Sequence, residues 1–588
     1  MDFSSLTPAQ QKAVRYRGGP LMVVAGPGTG KTRTLTFRIA HLLETRIARP
    51  DQILGITFTN KAADEIRTRI EGLAVQTQLS HLPRVTTFHG FCFRFLHENL
   101  APPSQLLSET EALTVLKEAV REKDPRFPAP QFKELSRRIS AAKNNRIPAA
   151  DSSHLPEWET YPAWPGLYRA YQDKLSHNNY WDFDELILQA LALLEDNPQL
   201  QTDTRQRYPF VLVDEFQDIN LIQFDLFKRL TRLDEEWMVI GDPNQAIYGF
   251  RGASADFFSR LKQETPSLAE IRLEETFRLN QTILTASSQV IRASSLSPSP
   301  TLISTKKGEP FISVMASASD DQEGVAITRL IEVEMGGLGF LSKGEKRFSE
   351  TRHKKPRSFA DFAVLYRLHL QGETIARAFL KKGIPFQRVQ EIHWAERPEV
   401  RTCLTYLKRS QPLEIPPAPA LNELFSRGVV DPKAISLEGA DALKKLLSWA
   451  AAFKGTLGEF LDLLSVQTGL DTYEPDQEKV SLLTLHAAKG LEFPFVIIAG
   501  CEANLLPLSL LKESDPEEER RLFYVGLTRA QDKLVLTWAR KRNLFGQCLS
   551  QSPSPFLEDI EAELKSQVSS AEKKPSAHPK KKQMSLFS

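Results

Sequence analysis

Apolar and polar positions follow two rhythms along this chain. Short runs of consecutive apolar residues punctuate the first 92 residues: Leu21-Met22-Val23-Val24, Ile53-Leu54-Gly55-Ile56-Thr57-Phe58 and the segment around Arg84-Val85-Thr86-Thr87-Phe88. Runs of this length between helical patterns predict buried strands of a doubly wound α/β sheet. From about 93 to 205 the pattern turns helical and charged, broken by Pro125, Pro128 and Pro130, and reads as an insertion. Strand signals return at Phe210-Val211-Leu212-Val213 and Val239-Ile240-Gly241, and a second α/β region begins near 273, with a strand at Ala360–Tyr366. A mostly helical stretch with a Pro-rich break (Pro412 to Pro419) interrupts it before strands resume at Val480–Leu485 and Phe495–Ala499. The expected organisation is a first α/β domain of 1–92 and 206–272 holding a helical insertion at 93–205, and a second of 273–398 and 476–560 holding a short helical insertion at 399–475. A Lys-, Ser- and Pro-rich tail over 561–588 is expected to be disordered.

Composition narrows the function. The 588 residues are 41% hydrophobic and 25% charged, as in ordinary globular proteins. A net charge of +2 excludes an overall basic field, so positive charge for a polyanion must be local. One local candidate is the Gly-, Lys- and Arg-rich segment 334–357; another is the run Arg137-Arg138 and Lys143-Asn144-Asn145-Arg146. Four scattered cysteines, Cys92, Cys403, Cys501 and Cys548, argue against zinc or iron–sulfur sites and fit a reducing, cytoplasmic setting. No apolar run reaches the length of about 18 residues that a membrane span needs.

The chemistry is carried by Ala25-Gly26-Pro27-Gly28-Thr29-Gly30-Lys31-Thr32, between a strand and the helix that opens at Arg33. Glycines let consecutive backbone N–H groups turn around a polyphosphate, and the helix N-terminus adds its positive dipole end. Lys31 is the expected counter-charge for the β- and γ-phosphates, and the Thr32 hydroxyl a ligand for Mg²⁺. Asp214-Glu215 ends a later strand, where Asp214 is expected to hold Mg²⁺ through water and Glu215 to activate the attacking water. Gln245, at the end of a third strand, suits a γ-phosphate sensor.

These segments and others, in order over nearly the whole chain, resemble the UvrD/Rep/PcrA family of superfamily 1 DNA helicases. The others are Leu6-Thr7-Pro8-Ala9-Gln10-Gln11, Thr57-Phe58-Thr59-Asn60-Lys61-Ala62, Thr86-Thr87-Phe88-His89-Gly90, Asp182-Phe183-Asp184-Glu185-Leu186, Gly241–Ala253, Leu273-Glu274-Glu275-Thr276-Phe277-Arg278, Thr484–Phe493 and Glu518–Ala530. The resemblance implies two RecA-like domains with parallel sheets and ATP between them. It implies that Gln10 reads adenine, Phe277 stacks on it near Arg33, and Glu492 meets the ribose. Arg278 and Arg529 are implied as arginine fingers. Phe58, Asn60, His89, Tyr248, Phe250, Thr484 and His486 fall at positions lining a single-stranded DNA path. The family often has Tyr and Trp where this chain has Phe277 and Phe250, and Asn in place of Thr276.

The expected function is an ATP-dependent 3′–5′ DNA helicase or translocase acting on single strands and single/double-strand junctions, in repair or replication restart, as a monomer or weak dimer. A helicase half of a helicase–nuclease is the lesser enzyme reading, since little chain follows Arg529. The short second insertion implies altered duplex engagement. Gln583-Met584-Ser585-Leu586-Phe587 resembles the bacterial sliding-clamp-binding pentapeptide, with Leu586 and Phe587 as apolar anchors set in register by Gln583. The alternative function is therefore a clamp-recruited, DNA-stimulated ATPase that displaces proteins with little unwinding.

Overall fold

The computed structural model describes residues 3–569 apart from 75–80, 101–102, 104, 156–157, 159, 233–234, 295–300, 307–311, 337–356, 389–396, 411–413, 430–436, 454–455, 466–476 and 510–514. The clamp-type peptide at 583–587 and all but the ends of the basic segment 334–357 lie outside the described residues. The chain forms two compact units: Met1–Leu284 with Ser294–Lys307 and Val389–Pro475, and Thr285–Ala293 with Gly308–Arg388 and Asp476–Ser588.

The first unit is built on a sheet of six parallel strands: β1 (Leu21–Ala25), β2 (Ile53–Thr57), β3 (Arg84–Thr87), β6 (Phe210–Val213), β7 (Met238–Gly241) and β8 (Ala269–Leu273), in the order β3-β2-β6-β7-β1-β8. Every residue of β1, β2, β6 and β7 is buried, as expected of strands covered on both faces. Alternation sorts them. Leu21, Val23, Leu212 and Ile240 pack with Leu35, Ile39 and Leu42 of helix α2 (Lys31–Glu44) and Ile66 of helix α3 (Asn60–Ala74). Met22, Val24, Val211 and Val239 face the other way, onto Phe88, Phe91 and Phe95 of helix α4 (Phe88–Asn99) and onto Phe216. Helix α1 (Pro8–Arg15) packs along α2 through Ala13.

The first insertion has its own core, with Leu116, Phe132, Leu135, Trp158, Trp164 and Tyr168 buried between helices Glu109–Lys123, Gln131–Asn144 and Trp164–Asn178. Two short parallel strands, β4 (Gln105–Leu106) and β5 (Tyr180–Trp181), close its base. The first unit runs past residue 273: β9 (Glu275–Asn280) pairs in parallel with β10 (Ile303–Lys306). The described helices between 398 and 465 group with this unit and bury Val400, Leu407, Leu421, Leu424, Leu446 and Phe460 among themselves.

The second unit holds a seven-stranded parallel sheet of β11 (Ile312–Ser317), β12 (Phe362–Tyr366), β13 (Phe386–Arg388), β14 (Val480–Thr484), β15 (Phe493–Ile498), β16 (Ala530–Ala539) and β19 (Lys565–Ser569). Their order is β13-β14-β12-β15-β16-β11-β19. The antiparallel hairpin β17 (Lys541–Leu544) and β18 (Gln547–Ser550) follows β16. Its base is anchored by buried Arg542, which donates to Glu323 at 2.5 Å and to Glu502 at 2.5 and 2.8 Å. One expectation is corrected here. Order does not end near 560, because Lys565–Ser569 forms the edge strand β19, paired with β11 from Ile312 to Ala316. Backbone pairing outweighs the polar composition of this segment.

Candidate functional site: the phosphate loop and the aromatic path

The phosphate loop leaves the carboxyl end of β1 and enters α2 at Lys31. Gly28 and Gly30 have φ of 71° and 80°, a region in which only glycine sits without strain. At Gly28 space forbids a side chain as well. A Cβ on Gly28 meets the Cβ of Arg278 at 2.4 Å, and one on Gly30 meets Nε2 of Gln10 at 2.8 Å. The loop carbonyls are taken up from behind. Thr29 Oγ1 donates to Gly26 O at 2.8 Å, Thr276 Oγ1 to Pro27 O at 2.8 Å and the Phe277 N–H to Gly28 O at 3.0 Å. Gln10 Nε2 donates to Thr29 O at 2.8 Å, and the N–H of Thr34 to Gly30 O at 2.8 Å. Gln10 is itself oriented by a capping box, its Oε1 accepting from the Thr7 N–H at 2.9 Å.

Two further strand ends face this loop. Asp214 follows β6 and is buried; Thr32 Oγ1 donates to its Oδ2 at 2.9 Å. Burial, then the neighbouring Glu215, push the Asp214 carboxyl up to about 7. Glu215 has φ 51°, a strained conformation for a non-glycine, and its carboxylate lies 3.8 Å from Nζ of Lys31 and accepts from Gln217 at 2.5 Å. Gln217 in turn accepts from the Asp242 N–H at 2.9 Å, and Asp242 accepts from Gln245 Nε2 at 2.7 Å. Burial also raises the Asp242 carboxyl. Lys31, Thr32, Asp214, Glu215 and Gln245 are thus one connected cluster. A hydroxyl and a buried carboxylate in contact form a hard oxygen pair suited to a divalent cation.

The Asp214 shift has a measurable consequence. Between the ordinary carboxylate pKa of about 4 and the folded value of about 7, the folded protein holds a proton that the unfolded chain has released. Asp214 therefore supports folding below pH 4 and loses that contribution as pH rises through 7. In the absence of nucleotide, Asp214→Asn is expected to flatten the decline in Tm between pH 5 and 8, as read by calorimetry.

Thr276, Phe277 and Arg278 of β9 sit against the loop, and Phe277 is 41% exposed, leaving its ring face open for stacking. Arg33 donates to Ser5 at 2.7 Å and lies over Phe37. Glu492 and Arg529 belong to the second unit. There, buried Arg529 donates to Val525 O at 2.9 Å, Leu491 O at 3.1 Å and Thr528 Oγ1 at 3.0 Å, while Glu492 accepts from Gln531 at 2.9 Å. Thr484 Oγ1 accepts from the Ala487 N–H at 3.1 Å and so caps the turn that carries His486.

Three of the aromatic side chains named above lie together in the first unit. Phe58 and Tyr248 stack at 5.0 Å and 19°, Tyr248 meets Phe250 edge-on at 6.0 Å, and Arg251 lies over both Tyr248 and Phe250. Phe250 is 47% exposed, whereas Tyr248 is buried. Asn60 opens α3 two residues after Phe58. His89 meets Phe183 edge-on at 5.5 Å, and burial, then Arg251, lower it to about 4, so it is a neutral ring at physiological pH. The basic run of the insertion behaves differently. Lys143 is buried against Asp182 at 2.7 Å and Glu185 at 3.2 Å, Arg146 pairs with Glu195 and Asp225, and Arg137 and Arg138 pair with Glu134. Phe545 falls in none of the sequence motifs named above; it is 69% exposed at the tip of the β17–β18 hairpin beside Gly546, both with positive φ. Its flanking segments, Lys541–Leu544 and Gln547–Ser550, carry no apolar alternation, so nothing local beyond the Gly marks the hairpin.

Comparison with known proteins agrees with this geometry. Residues 6–266 match the UvrD/REP helicase N-terminal domain, and residues 271–411 and 436–541 match the UvrD-like helicase C-terminal domain. The ATP-dependent DNA helicase PcrA of Bacillus subtilis (strain 168) is 29% identical over 658 residues, covering 95% of this chain and 86% of that protein. The proteins of the same description from Leuconostoc citreum and Staphylococcus aureus (strain NCTC 8325 / PS 47) are each 28% identical, over 94% and 97% of this chain and 84% and 88% of theirs. With two parallel RecA-like sheets and a phosphate loop backed by paired carboxylates, the chain belongs to the UvrD/REP family of ATP-dependent DNA helicases.

Proposed function

We propose that this protein is a motor that moves 3′ to 5′ along single-stranded DNA and separates strands at a single/double-strand junction, in DNA repair or replication restart. The observation that carries the proposal is the connected cluster of Lys31, Thr32, Asp214, Glu215 and Gln245, in the same unit as the Phe58–Tyr248–Phe250 stack. Lys31 neutralises the β- and γ-phosphates, Glu215 takes the proton of the attacking water, and Gln245 senses the γ-phosphate through its link to Asp242. Thr32 and Asp214 would hold Mg²⁺, which supplies charge neutralisation at the phosphates. Phe277 stacks on adenine, Gln10 reads its edge and Glu492 meets the ribose. Arg278 and Arg529 stabilise the charge that develops on the transferred phosphoryl group. Exposed Phe250 offers a face on which any base stacks, so translocation is indifferent to sequence.

The two-residue turn and the buried Arg542 anchor make the β17–β18 hairpin a stiff support for Phe545. In this reading the exposed ring meets the first base pair of the junction. On a duplex with a 3′ single-stranded tail, the wild type is expected to unwind, and on a 5′-tailed duplex it is not. Phe545→Ala is expected to lose about tenfold in unwinding while single-strand-stimulated ATP hydrolysis is kept, because one base-stacking contact contributes roughly 1–3 kcal/mol. Unwinding from the 5′ tail overturns the polarity, and loss of hydrolysis in Phe545→Ala overturns the role of the hairpin.

The tail peptide Gln583, Leu586 and Phe587 is proposed to dock the motor on a sliding clamp, on the strength of its two adjacent apolar anchors. Among the described residues, no helix is long and apolar enough to cross a membrane.

A further inference from the structure

Arg38 is among the most deeply buried large side chains, 1% exposed, yet among the described residues no carboxylate pairs with it in the manner of Arg542. Its Nη1 donates to three main-chain carbonyls: Ala13 at 3.1 Å, Val14 at 3.4 Å and Tyr16 at 2.8 Å. Ala13 and Val14 lie in the last turn of α1, and Tyr16 is its C-cap. The final carbonyls of a helix have no partner within it, and a cationic side chain can satisfy them. Nη2 is buried with no hydrogen-bond partner in the structure. Burial lowers the guanidinium to about 10. A leucine or methionine would fill this volume without the desolvation cost of a charge. The arginine therefore requires a further reason than packing.

The reason lies in what α1 carries at its other end. Gln10 sits one turn before Ala13, donates to Thr29 O and stands where a Cβ on Gly30 would strike it. Arg38 lies about two turns along α2 from Lys31. Helix α2 thus holds the phosphate loop at its N-terminus and clamps the carboxyl end of α1 through Arg38, and α1 returns Gln10 to that same loop. The three contacts close a triangle. We propose that Arg38 is a positioning residue for base recognition: by pinning the end of α1 to α2 it fixes where Gln10 sits over the loop, and with it the preference for adenine over other bases. This rests on the reading of Gln10 as the adenine-contacting residue.

The test is the ratio of kcat/KM for ATP and GTP in DNA-stimulated hydrolysis, measured for wild type, Arg38→Met, Arg38→Lys, Gln10→Ala and the Arg38→Met/Gln10→Ala pair. Arg38→Met is expected to lower the ATP:GTP ratio about tenfold through KM for ATP, with KM for GTP little changed. Arg38→Lys, which keeps one donor for the same carbonyls, is expected to recover part of the ratio. The pair is expected to be no less selective than Gln10→Ala alone, because both act through one contact. A general loosening of the fold lowers hydrolysis of both nucleotides together and leaves the ratio intact, which overturns the proposal. Should Arg38→Met fail to fold, Arg38→Lys with an unchanged ratio does the same. A ratio lost in Gln10→Ala but kept in both Arg38 variants overturns the role of Arg38 alone. A ratio kept in Gln10→Ala removes Gln10 as the reader, and the proposal falls with it.

Discussion

Glu215→Gln is expected to cut DNA-stimulated ATP hydrolysis by about 10³-fold while nucleotide binding is retained or strengthened. Glutamine keeps the shape of the side chain and an oxygen that can accept from Gln217, which contacts Glu215 at 2.5 Å, so the link on to Asp242 survives. What is lost is the base. What is gained follows from electrostatics: the Glu215 charge is one of the two forces that hold the Asp214 carboxyl near 7. Without it, Asp214 ionises more readily and becomes a better cation ligand. Lys31→Ala is expected to give the opposite pattern, with weak nucleotide binding, since Lys31 supplies the positive charge facing Glu215 at 3.8 Å. Equilibrium binding of a fluorescent ATP analogue beside steady-state turnover separates the two variants. A Glu215→Gln protein that turns over at more than a tenth of the wild-type rate removes Glu215 from the role of base.

Arg278→Ala is expected to lower kcat by about 10³-fold, with KM for ATP changed far less. The Arg278 main chain is seated on the phosphate loop: Thr276 and Phe277 donate to Pro27 and Gly28, and Gly28 has no room for a Cβ because Arg278 occupies it. The exposed Phe277 ring remains to hold the base. Arg278→Lys is expected to restore little, because an ammonium cannot grip two oxygens as a guanidinium fork does. Rapid-quench single-turnover hydrolysis, started from bound ATP, isolates the chemical step. A normal single-turnover rate with a raised KM would make Arg278 a ground-state binding residue.

The strands and the phosphate loop were legible because their signals are local. Leu21–Val24 is apolar at every position, and a strand covered on both faces leaves no alternative pattern; Gly-Lys-Thr directly after it has few other uses. Legibility failed where a residue's role depends on distant partners. Lys143 in a run of charges reads as a solvated or phosphate-facing cation, but its ammonium is buried against Asp182 and Glu185, 39 and 42 residues away. Tyr248 sits in a motif that marks DNA contact, but the fold buries it under Phe58 and leaves Phe250 to face outward. The polar stretch Lys565–Ser569 has no strand pattern of its own and is ordered only because β11 offers it an open edge. Arg38 has no motif that distinguishes it from any helix arginine; only the end of α1 gives it meaning.

The carbonyls of Gly26, Pro27, Gly28, Thr29 and Gly30 are each held, in sequence, by Thr29, Thr276, Phe277, Gln10 and Thr34. Five successive peptide planes are therefore locked against flipping. The Gly26–Pro27 peptide has no N–H, but each of the other four keeps its N–H on the side opposite its anchored oxygen, so the electropositive concavity is preorganised by folding itself. Capture of a polyphosphate is then expected to need no slow backbone rearrangement of the loop. The same lock ties the loop to its neighbours: Thr276 and Phe277 of β9 and Gln10 of α1 each hold one of its peptides, so a tilt of either element acts on the cradle directly.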